Sequence, residues 1–251
     1  MISKSSVAFV SLVFLFGIAG VVVAADAPAA KTSESSEPWS GIYLGGHFGY
    51  GWGGAKWHNI VANAGTVEDF APGSSITSHD AQGLMGGGQV GLNYQRGPWV
   101  FGIESAYSGS NIDGGSRSRI APKDDIYTTR ITRIFLATAR AGYSWKSWLA
   151  YLRAGYTFGN VTTEFVDATG PVQGRGRTDE LHHGFAVGPG IEYMVIPNVV
   201  VGTEYNYINL GSTDHKVGIK GNVSGFLKNR VNPDDIHNLT VRLSFLFNPG
   251  W

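Results

Sequence analysis

The strongest constraint on this chain is an alternation of side-chain character with a period of two residues, which begins near residue 41. In the segment GIYLGGHFGYGW, Ile42, Leu44 and Phe48 fall on one apolar side, whereas the intervening positions, such as His47, are small or polar. A period of two is the signature of a β-strand whose two faces meet different surroundings. The same pattern recurs seven more times, in segments whose apolar faces begin with Leu84, Trp99, Phe135, Trp148, Phe185, Val199 and Leu239.

The connections between these eight segments alternate between short and long. The short ones contain QRGP, WKS and IPN, and the long ones cover roughly residues 58–80, 109–127, 160–180 and 209–236. Such alternation is typical of outer-membrane barrels, which have tight periplasmic turns and long extracellular loops. A soluble β-sandwich has no reason to sort its connections by length. Pro189 lies inside the sixth segment, where its missing N–H donor predicts a local bulge.

Aromatic residues are predicted to lie in two bands, one at each end of the strands. The band at the short-turn end contains Tyr94, Trp99, Tyr143, Trp148 and Tyr193, and the band at the long-loop end contains Trp52, Tyr107, Phe158 and Tyr207. Rings at both interfaces match the girdles of a membrane barrel. The sequence therefore predicts an all-β fold, an eight-stranded antiparallel transmembrane β-barrel over residues 39–251, with short periplasmic turns and four long extracellular loops.

The first residues of the chain are typical of a targeting segment. Lys4 supplies a positive charge, residues 7–23 are almost entirely apolar, and small residues such as Val22 and Ala24 offer a cleavage site. We therefore expect a signal peptide over residues 1–24, a flexible periplasmic linker over 25–38 and export to the bacterial outer membrane. The alternative is a retained N-terminal membrane helix, since seventeen residues are close to a spanning length.

If the apolar face meets lipid, charged residues of the strands point into the barrel. They comprise three acids and three bases, namely Glu104, Arg140, Arg153, Glu192, Glu204 and Arg242. Opposite charges in a confined lumen need partners, so we predict a network of ion pairs that plugs the barrel. Inward glycines, including Gly91, Gly102 and Gly190, leave room for these long side chains. An eight-stranded barrel is also too narrow for a general diffusion pore, which needs about sixteen strands.

Several functions are not supported by the residues present. There is no cysteine, and the formal net charge is zero, so neither thiol chemistry nor a nucleic-acid partner is indicated. Gly49, Gly51 and Gly54 match G-x-G-x-x-G, but no helix follows them to hold a pyrophosphate. Some small barrels are acyltransferases or proteases with polar catalytic residues near the outer rim. Asp179, Glu180 and His182 are the candidates for that role here, but neither a nucleophile nor a matching spacing supports it. We therefore expect no enzyme.

Histidines concentrate in the long connections or at their strand ends, all on the predicted outer side. The candidate ligands of haem or a transition metal are His58, His79, His182, His183 and His215, with the adjacent pair His182–His183 the first to test. The alternative is that polar loops collect histidine by composition alone. The same connections carry clusters of Arg and Lys, which could pair with lipopolysaccharide phosphates or simply be solvated.

Several longer motifs together carry a family resemblance. They are WSGIYLGGHFGYGWG, ARAGYSW before LAYLRAGYTFG, GFAVGPGIEYMV, VGTEYNYINLG and HNLTVRLSFLF. Over about residues 39–247 the chain resembles the small outer-membrane proteins of alphaproteobacteria called outer-membrane immunogenic or porin-family proteins, which have an OmpA-like barrel. The resemblance implies an abundant surface antigen of a Gram-negative envelope, and some members of the group bind haem.

The resemblance also implies recognition by the barrel-assembly machinery, which reads a terminal aromatic residue. Phe247, preceded at every second position by Phe245 and Leu243, fits that signal. Here NPGW follows, so the signal would be internal. Taken together, we expect a monomeric structural and surface-interaction protein that supports envelope integrity, contacts outer-membrane lipid and lipopolysaccharide, and has no cofactor. The alternatives are a haem- or metal-binding surface receptor and, more remotely, a small-solute porin.

Overall fold

The computed structural model describes residues 37–62, 75–118, 125–167, 174–221, 225–233 and 235–248. The predicted signal peptide and almost all of the linker lie outside these residues. Within them, no helix has the length and apolar character needed to cross a membrane. Ten strands are present: β1 Gly41–Ala62, β2 Ser75–Arg96, β3 Trp99–Arg117, β4 Ile126–Trp145, β5 Trp148–Asp167, β6 Gly174–Ile196, β7 Val199–Asn209, β8 Thr213–Gly221, β9 Gly225–Asn232 and β10 Ile236–Phe247.

The ten strands form two stacked rings of eight. In the lower ring, β1 to β6 are followed by β7 and β10, and β10 pairs with β1 to close the barrel. In the upper ring the same six strands are followed by the hairpin β8–β9, because β6 pairs with β8 and β9 pairs with β1. The pairings are antiparallel throughout. The fold class is thus the one predicted, an eight-stranded antiparallel barrel.

The four long connections contain more strand than the sequence predicted. Residues assigned to loops form the outer ends of β1 to β6 and the whole of β8 and β9. The prediction was wrong because the apolar face changes sides along the strands. In β1 it points outward at Trp52 but inward at Trp57, and in β5 outward at Phe158 but inward at Phe165. Because the strands were predicted from outward apolar residues, each predicted strand ended at the point where the apolar residues begin to face inward.

The short turns at the opposite end have the predicted positions. Arg96 pairs with Trp99 and Trp145 pairs with Trp148, so each of these hairpins closes with two residues. Their backbones adopt positive φ at Gly97 (59°) and at Lys146 (52°). Left-handed conformations of this kind match the twist of tight hairpins and favour glycine or asparagine.

No bulge occurs at Pro189, contrary to the prediction. The register between β5 and β6 runs through the pair Leu152–Pro189 without a shift. On the other side, the pairs Val187–Tyr207 and Gly190–Glu204 keep one register, and only the two positions between them have no partner in β7. A missing N–H therefore interrupts the ladder locally without inserting a residue.

Large apolar side chains cover the outside of the lower ring. Leu152, Ile103 and Val241 are each more than 60 % exposed to the surroundings, although they lie in the middle of paired strands. Trp99 packs edge-on against Tyr143 at the short-turn end, and Phe135 stacks on Phe158 at the other end. An apolar belt between two aromatic girdles places the lower ring in a bilayer and the upper ring outside it.

Candidate functional site

The interior of the barrel is filled by successive layers of side chains. The inward residues of β5 mark these layers from the short-turn end upward. A first apolar layer lies at Leu149, and a charged layer follows at Arg153. Above them lie a second apolar layer at Val161, a histidine layer at Thr163 and a third apolar layer at Phe165. The first apolar layer consists of Trp39, Val100, Leu149, Tyr151 and Val200. The third consists of Trp57, Ile76, Tyr127, Phe165, Val217, Ile219 and Val231.

The charged layer, which we call the ionic cluster, brings together all six of the inward acids and bases. Glu104 lies at its centre, because it accepts from Arg153 at 2.6 Å, is paired with Arg242 and lies 4.0 Å from Arg140. Each of these four side chains is at most 3 % exposed. A buried carboxylate held by three guanidinium groups is stabilised only as long as the whole set is present.

The remaining two acids complete the cluster on the far side. Glu204 pairs with Arg242 at 2.5 Å and with Arg153 at 2.8 Å, and Glu192 pairs with Arg140 at 3.2 Å. Three acids and three bases therefore balance within one buried layer. Since arginine binds carboxylates through several parallel donors, the arrangement joins strands that are not neighbours in the wall, as Arg242 on β10 and Glu104 on β3 do.

The cluster also contains two tyrosines, which the sequence analysis did not assign to it. Tyr43 donates to Glu104 at 2.7 Å, and Tyr151 donates to Glu204 at 2.8 Å. Their rings enclose the guanidinium of Arg140, with centroids at 4.4 and 4.9 Å from its Cζ atom.

The signal that could have found the tyrosines is the pairing of each with an inward glycine. A Cβ atom on Gly91 would lie 2.2 Å from the Tyr43 hydroxyl, and one on Gly190 would lie 2.3 Å from Cζ of Tyr151. The missing side chains of the two glycines thus leave the space that the two tyrosine rings fill. An inward glycine on one strand therefore indicates that an inward aromatic side chain of a nearby strand can occupy the space beside it.

Little empty space remains beside the ionic cluster. A small cavity lined by His47, Met85, Arg153, Glu204 and Asn238, among others, has room for about one water molecule. The second apolar layer closes the lumen above it, with Ile112, Ile134 and Ile208 at most 1 % exposed.

The histidine layer contains two of the predicted ligand candidates. His182 on β6 and His215 on β8 are fully buried, and their Nε2 atoms lie 2.7 Å apart. The Nδ1 atom of His182 faces the Gly211 carbonyl at 3.4 Å, and that of His215 faces the Thr163 hydroxyl at 3.0 Å. A carbonyl only accepts, so His182 carries its proton on Nδ1 and accepts from His215 at Nε2.

Burial lowers the pKa of both imidazoles to about 4. For His182 the carbonyls of Gly211 and Leu210 oppose this shift, and for His215 the charge of His182 adds to it. Both side chains are therefore neutral at pH 7, as the hydrogen bond between them requires.

The other histidine candidates are not brought to the same place. His183 faces outward and bonds to the Tyr156 hydroxyl at 2.5 Å, because neighbouring strand residues point to opposite faces, so His182–His183 is not a joint site. His79 is buried against Ser116 at 3.4 Å, and burial lowers its pKa. His58 lies on β1 opposite Arg230. In the part of the chain that the structure describes, no three acidic or histidine side chains are placed to hold a metal ion.

The residues of the predicted assembly signal lie on the last strand. Leu243, Phe245 and Phe247 point outward toward the bilayer, and β10 ends at Phe247. Phe247 pairs with Ile42 at the closing seam of the lower ring. Its use by the assembly machinery stays a prediction.

A closed barrel with an apolar belt, two aromatic girdles and a strand-built extension defines the class of outer-membrane β-barrel proteins. The sequence profile of the outer membrane protein beta-barrel domain matches residues 16–247, and the chain belongs to that family. The protein is accordingly one of the bacterial outer membrane.

Curated relatives agree with this assignment. The chain is 26 % identical to the 31 kDa outer-membrane immunogenic protein of Brucella melitensis, over 96 % of this chain and 99 % of that protein. It is 28 % identical to the 22 kDa outer membrane protein of Rhizobium leguminosarum bv. viciae, over 77 % of this chain and 74 % of that protein. These relatives bear out the resemblance to alphaproteobacterial outer-membrane proteins.

Among solved structures, the outer membrane protease OmpT of Escherichia coli has a similar fold. The TM-score is 0.55 at 10 % identity, with 82 % of this chain and 97 % of that chain covered. This similarity concerns the fold alone. The relatives named above are described as outer-membrane and immunogenic proteins, and none of their names includes an enzymatic activity.

Proposed function

We propose that this protein is a closed-lumen structural and surface-interaction protein, which supports the envelope from within the outer membrane and displays its upper ring to the outside. The observation that carries the proposal is the filled interior. The ionic cluster spans the barrel with side chains that are at most 4 % exposed, and an apolar layer lies on either side of it. Because the lumen is filled, the side chains that a ligand could reach lie on the outer surface of the barrel.

The proposal extends to the oligomeric state and the route of assembly. Among the residues that the structure describes, every strand of the lower ring has a partner on both sides, so no strand edge is free there to recruit a second copy and a monomer is favoured. We propose that the barrel-assembly machinery recognises Phe247, Phe245 and Leu243 at the strand that closes the lower ring.

Single-channel recording tests the closed lumen. Purified protein reconstituted into planar bilayers should give no stable conductance, whereas a general porin of about sixteen strands gives steps in the nanosiemens range. Such a porin, reconstituted in the same lipid, is the positive control. Stable nanosiemens steps from the purified protein would show that the lumen conducts and would support the small-solute porin instead.

A strain that lacks the protein tests the structural role. We expect it to become more sensitive to detergent, while its uptake of small solutes stays at the wild-type rate. Slower uptake with unchanged detergent sensitivity would contradict the proposal.

The haem or metal receptor is the second candidate, and one observation keeps it open. His182 and His215 aim their Nε2 atoms at each other, so a small displacement would offer two imidazole ligands. Haem titration of the purified protein, with His215→Gln as the comparison, tests it. A Soret shift that is lost in the variant would favour the receptor over the structural protein.

A further inference from the structure

The outer surface of the upper ring has one strongly basic side, formed by the hairpin β8–β9 and the end of β6. Its cations are Arg175, Lys216, Lys220, Lys228 and Arg230, which we call the basic face. One acid, Asp214, lies among them. It binds Arg230 at 2.9 Å and Lys228 at 3.2 Å, so a single carboxylate serves two of the five cations.

Three cations of the basic face have no acidic partner within ion-pair distance among the residues that the structure describes. They are Arg175, Lys216 and Lys220. The ammonium of Lys216 lies instead over the ring of Phe226, 4.4 Å from its centroid.

The register places like charges opposite each other twice. Lys216 on β8 pairs with Lys228 on β9, and Lys220 on β8 pairs with Arg175 on β6. All four side chains lie on the outer face, and directly opposed residues have Cβ atoms only about 5 Å apart. Like charges in these positions destabilise a sheet unless an anion lies between them. Asp214 offsets part of this charge at Lys228, whereas Lys216, Lys220 and Arg175 keep an excess of positive charge that anionic groups would offset.

The outward charges are balanced on β2 to β5, the wall of the upper ring away from the hairpin, and on β6 next to Arg175 the outward Arg177 is paired with Glu164 and Asp179. On β2 to β5, the outward charges beyond the girdle that the structure describes are Asp80, Asp113 and Glu164 against Arg117, Arg130 and Arg133. Across that wall Asp113 pairs with Arg130. The excess of positive charge is thus restricted to the side closed by the hairpin.

The direction of the basic face identifies its partner. Side chains on the outside of a barrel wall project parallel to the membrane, so they meet whatever surrounds the barrel at that height. Arg230 pairs with His58, six residues beyond Trp52 of the outer girdle, and Arg175 pairs with Val166, eight residues beyond Phe158. At about 2.5 Å per residue along tilted strands, the basic face lies about 15–20 Å above the girdle.

We propose that the basic face binds the phosphorylated core sugars of lipopolysaccharide in the outer leaflet that surrounds the barrel. Phosphate oxygens would bridge the two opposed cation pairs, with charge-assisted hydrogen bonds from Arg175 and the three lysines. The half-buried ring of Phe226, next to Lys216, offers an apolar surface to a sugar. The proposal does not depend on a closed lumen.

Thermal unfolding of detergent-solubilised protein with added lipopolysaccharide tests it. The wild type should bind purified lipopolysaccharide and unfold at a higher temperature, and the same lipopolysaccharide after dephosphorylation should have little effect. The triple variant Arg175→Gln/Lys216→Gln/Lys220→Gln should bind at least about tenfold more weakly, because each basic residue near an anionic lipid surface adds to affinity.

The matched control removes the same charge from the balanced wall. The variant Arg117→Gln/Arg130→Gln/Arg133→Gln should keep most of the wild-type affinity. Asp214→Asn should bind more tightly than the wild type, because it frees Lys228 and Arg230. An equal loss in both triple variants would overturn the proposal, since it would show binding by net charge alone. Binding of soluble heparin without binding of lipopolysaccharide would overturn it in favour of a soluble polyanion.

Discussion

Glu104 connects the charges of the barrel interior to one another. It contacts three arginines and the hydroxyl of Tyr43, and its side chain is 1 % exposed. Replacing the carboxylate by an amide leaves three buried guanidinium groups with only two acids. Removing one partner of a buried ionic network leaves an uncompensated charge in a low-dielectric interior, which costs far more than a surface pair contributes.

Glu104→Gln should therefore lower the free energy of unfolding by about 3–5 kcal/mol. The urea midpoint of the folded, faster-migrating band on unheated gels would measure this loss. Glu164→Gln is the matched control, because it removes the same charge from an exposed pair with Arg177, and its effect should stay below about 1 kcal/mol. Equal midpoints for the two variants would show that the ionic cluster contributes nothing beyond an ordinary surface pair.

Lys146 is a second residue whose role can be tested alone. It adopts a φ of 52° in the two-residue turn between β4 and β5, a conformation that glycine reaches without strain. Lys146→Gly should stabilise the barrel by about 0.5–1 kcal/mol. Ser147→Gly in the same turn is the control and should not stabilise. A destabilised Lys146→Gly variant would mean that the lysine contributes a contact of its own.

At the residue scale, the sequence predicted which side chains point into the barrel but not which of them contact each other. The inward direction of the six charges followed from strand alternation, because their parity is opposite to that of the apolar belt. Which acid meets which base depends on the stagger of eight strands around the barrel, and a single strand does not encode it. The place of Tyr43 and Tyr151 depended in the same way on glycines from neighbouring strands.

At the scale of elements, the hairpin β8–β9 is joined to β6 by backbone pairing at one end and by a side-chain hydrogen bond further along. Among the residues that the structure describes, the ladder between β6 and β8 contains the pairs Gly174–Gly221 and Arg175–Lys220 and no others. Further down the same seam, the hydrogen bond from His215 to His182 joins the two strands through side chains. Both imidazoles must be neutral to make this bond, since an added proton on His182 Nε2 would face the N–H of His215.

This seam should open in acid. The pKa of each imidazole is about 4 in the closed barrel and about 6.5 when solvated, so the open form takes up protons at a higher pH than the closed form. Closure should weaken as the pH falls from about 6.5 to about 4 and should level off below that range. Hydrogen-exchange protection of β8, corrected for intrinsic rates, measures the effect.

The comparison for the acid test is His182→Gln/His215→Gln, in which neither side chain titrates. Its β8 protection should be nearly independent of pH between 4 and 6.5. If the wild type is equally independent of pH, the histidine pair does not hold the seam.

The sequence missed the hairpin for a physical reason that concerns the solvent. Inside the bilayer apolar residues face outward, whereas above it they face inward, as Val217 and Val231 do. One pattern becomes the inverse of the other within a single strand. A prediction that looks only for outward apolar residues assigns the upper part of each strand to a polar loop. The strands β1 to β6 were therefore predicted too short.

On the scale of the whole molecule, the eight segments with a period of two predicted the strand number, and the alternation of short and long connections predicted the barrel and its orientation. The partner could not be predicted from the sequence, because its identity depends on which charged residues lie opposite each other in the upper ring. Lys216 and Lys228 are twelve residues apart in the chain and become neighbours only through the hairpin.

The two rings should have separable stability. Replacing residues 212–234 by a short turn removes β8 and β9 but leaves every strand of the lower ring, including its β1–β10 closure. The shortened protein should still show heat-modifiable migration in detergent, while the ends of β1 and β6 become sensitive to protease. Failure of the shortened protein to fold would indicate that the upper ring is needed to form the lower one.

The upper ring also changes what an immune system can see of this protein. Much of the surface that projects from the cell is a wall of paired strands, in which neighbouring patches come from distant parts of the chain, as Arg175 and Lys220 do. Outward residues alternate with residues buried inside, so a linear peptide copied from β6 or β8 presents half of its side chains wrongly. Antibodies that recognise the folded wall should therefore require assembled epitopes, and antigens meant to raise them need the barrel and not its peptides.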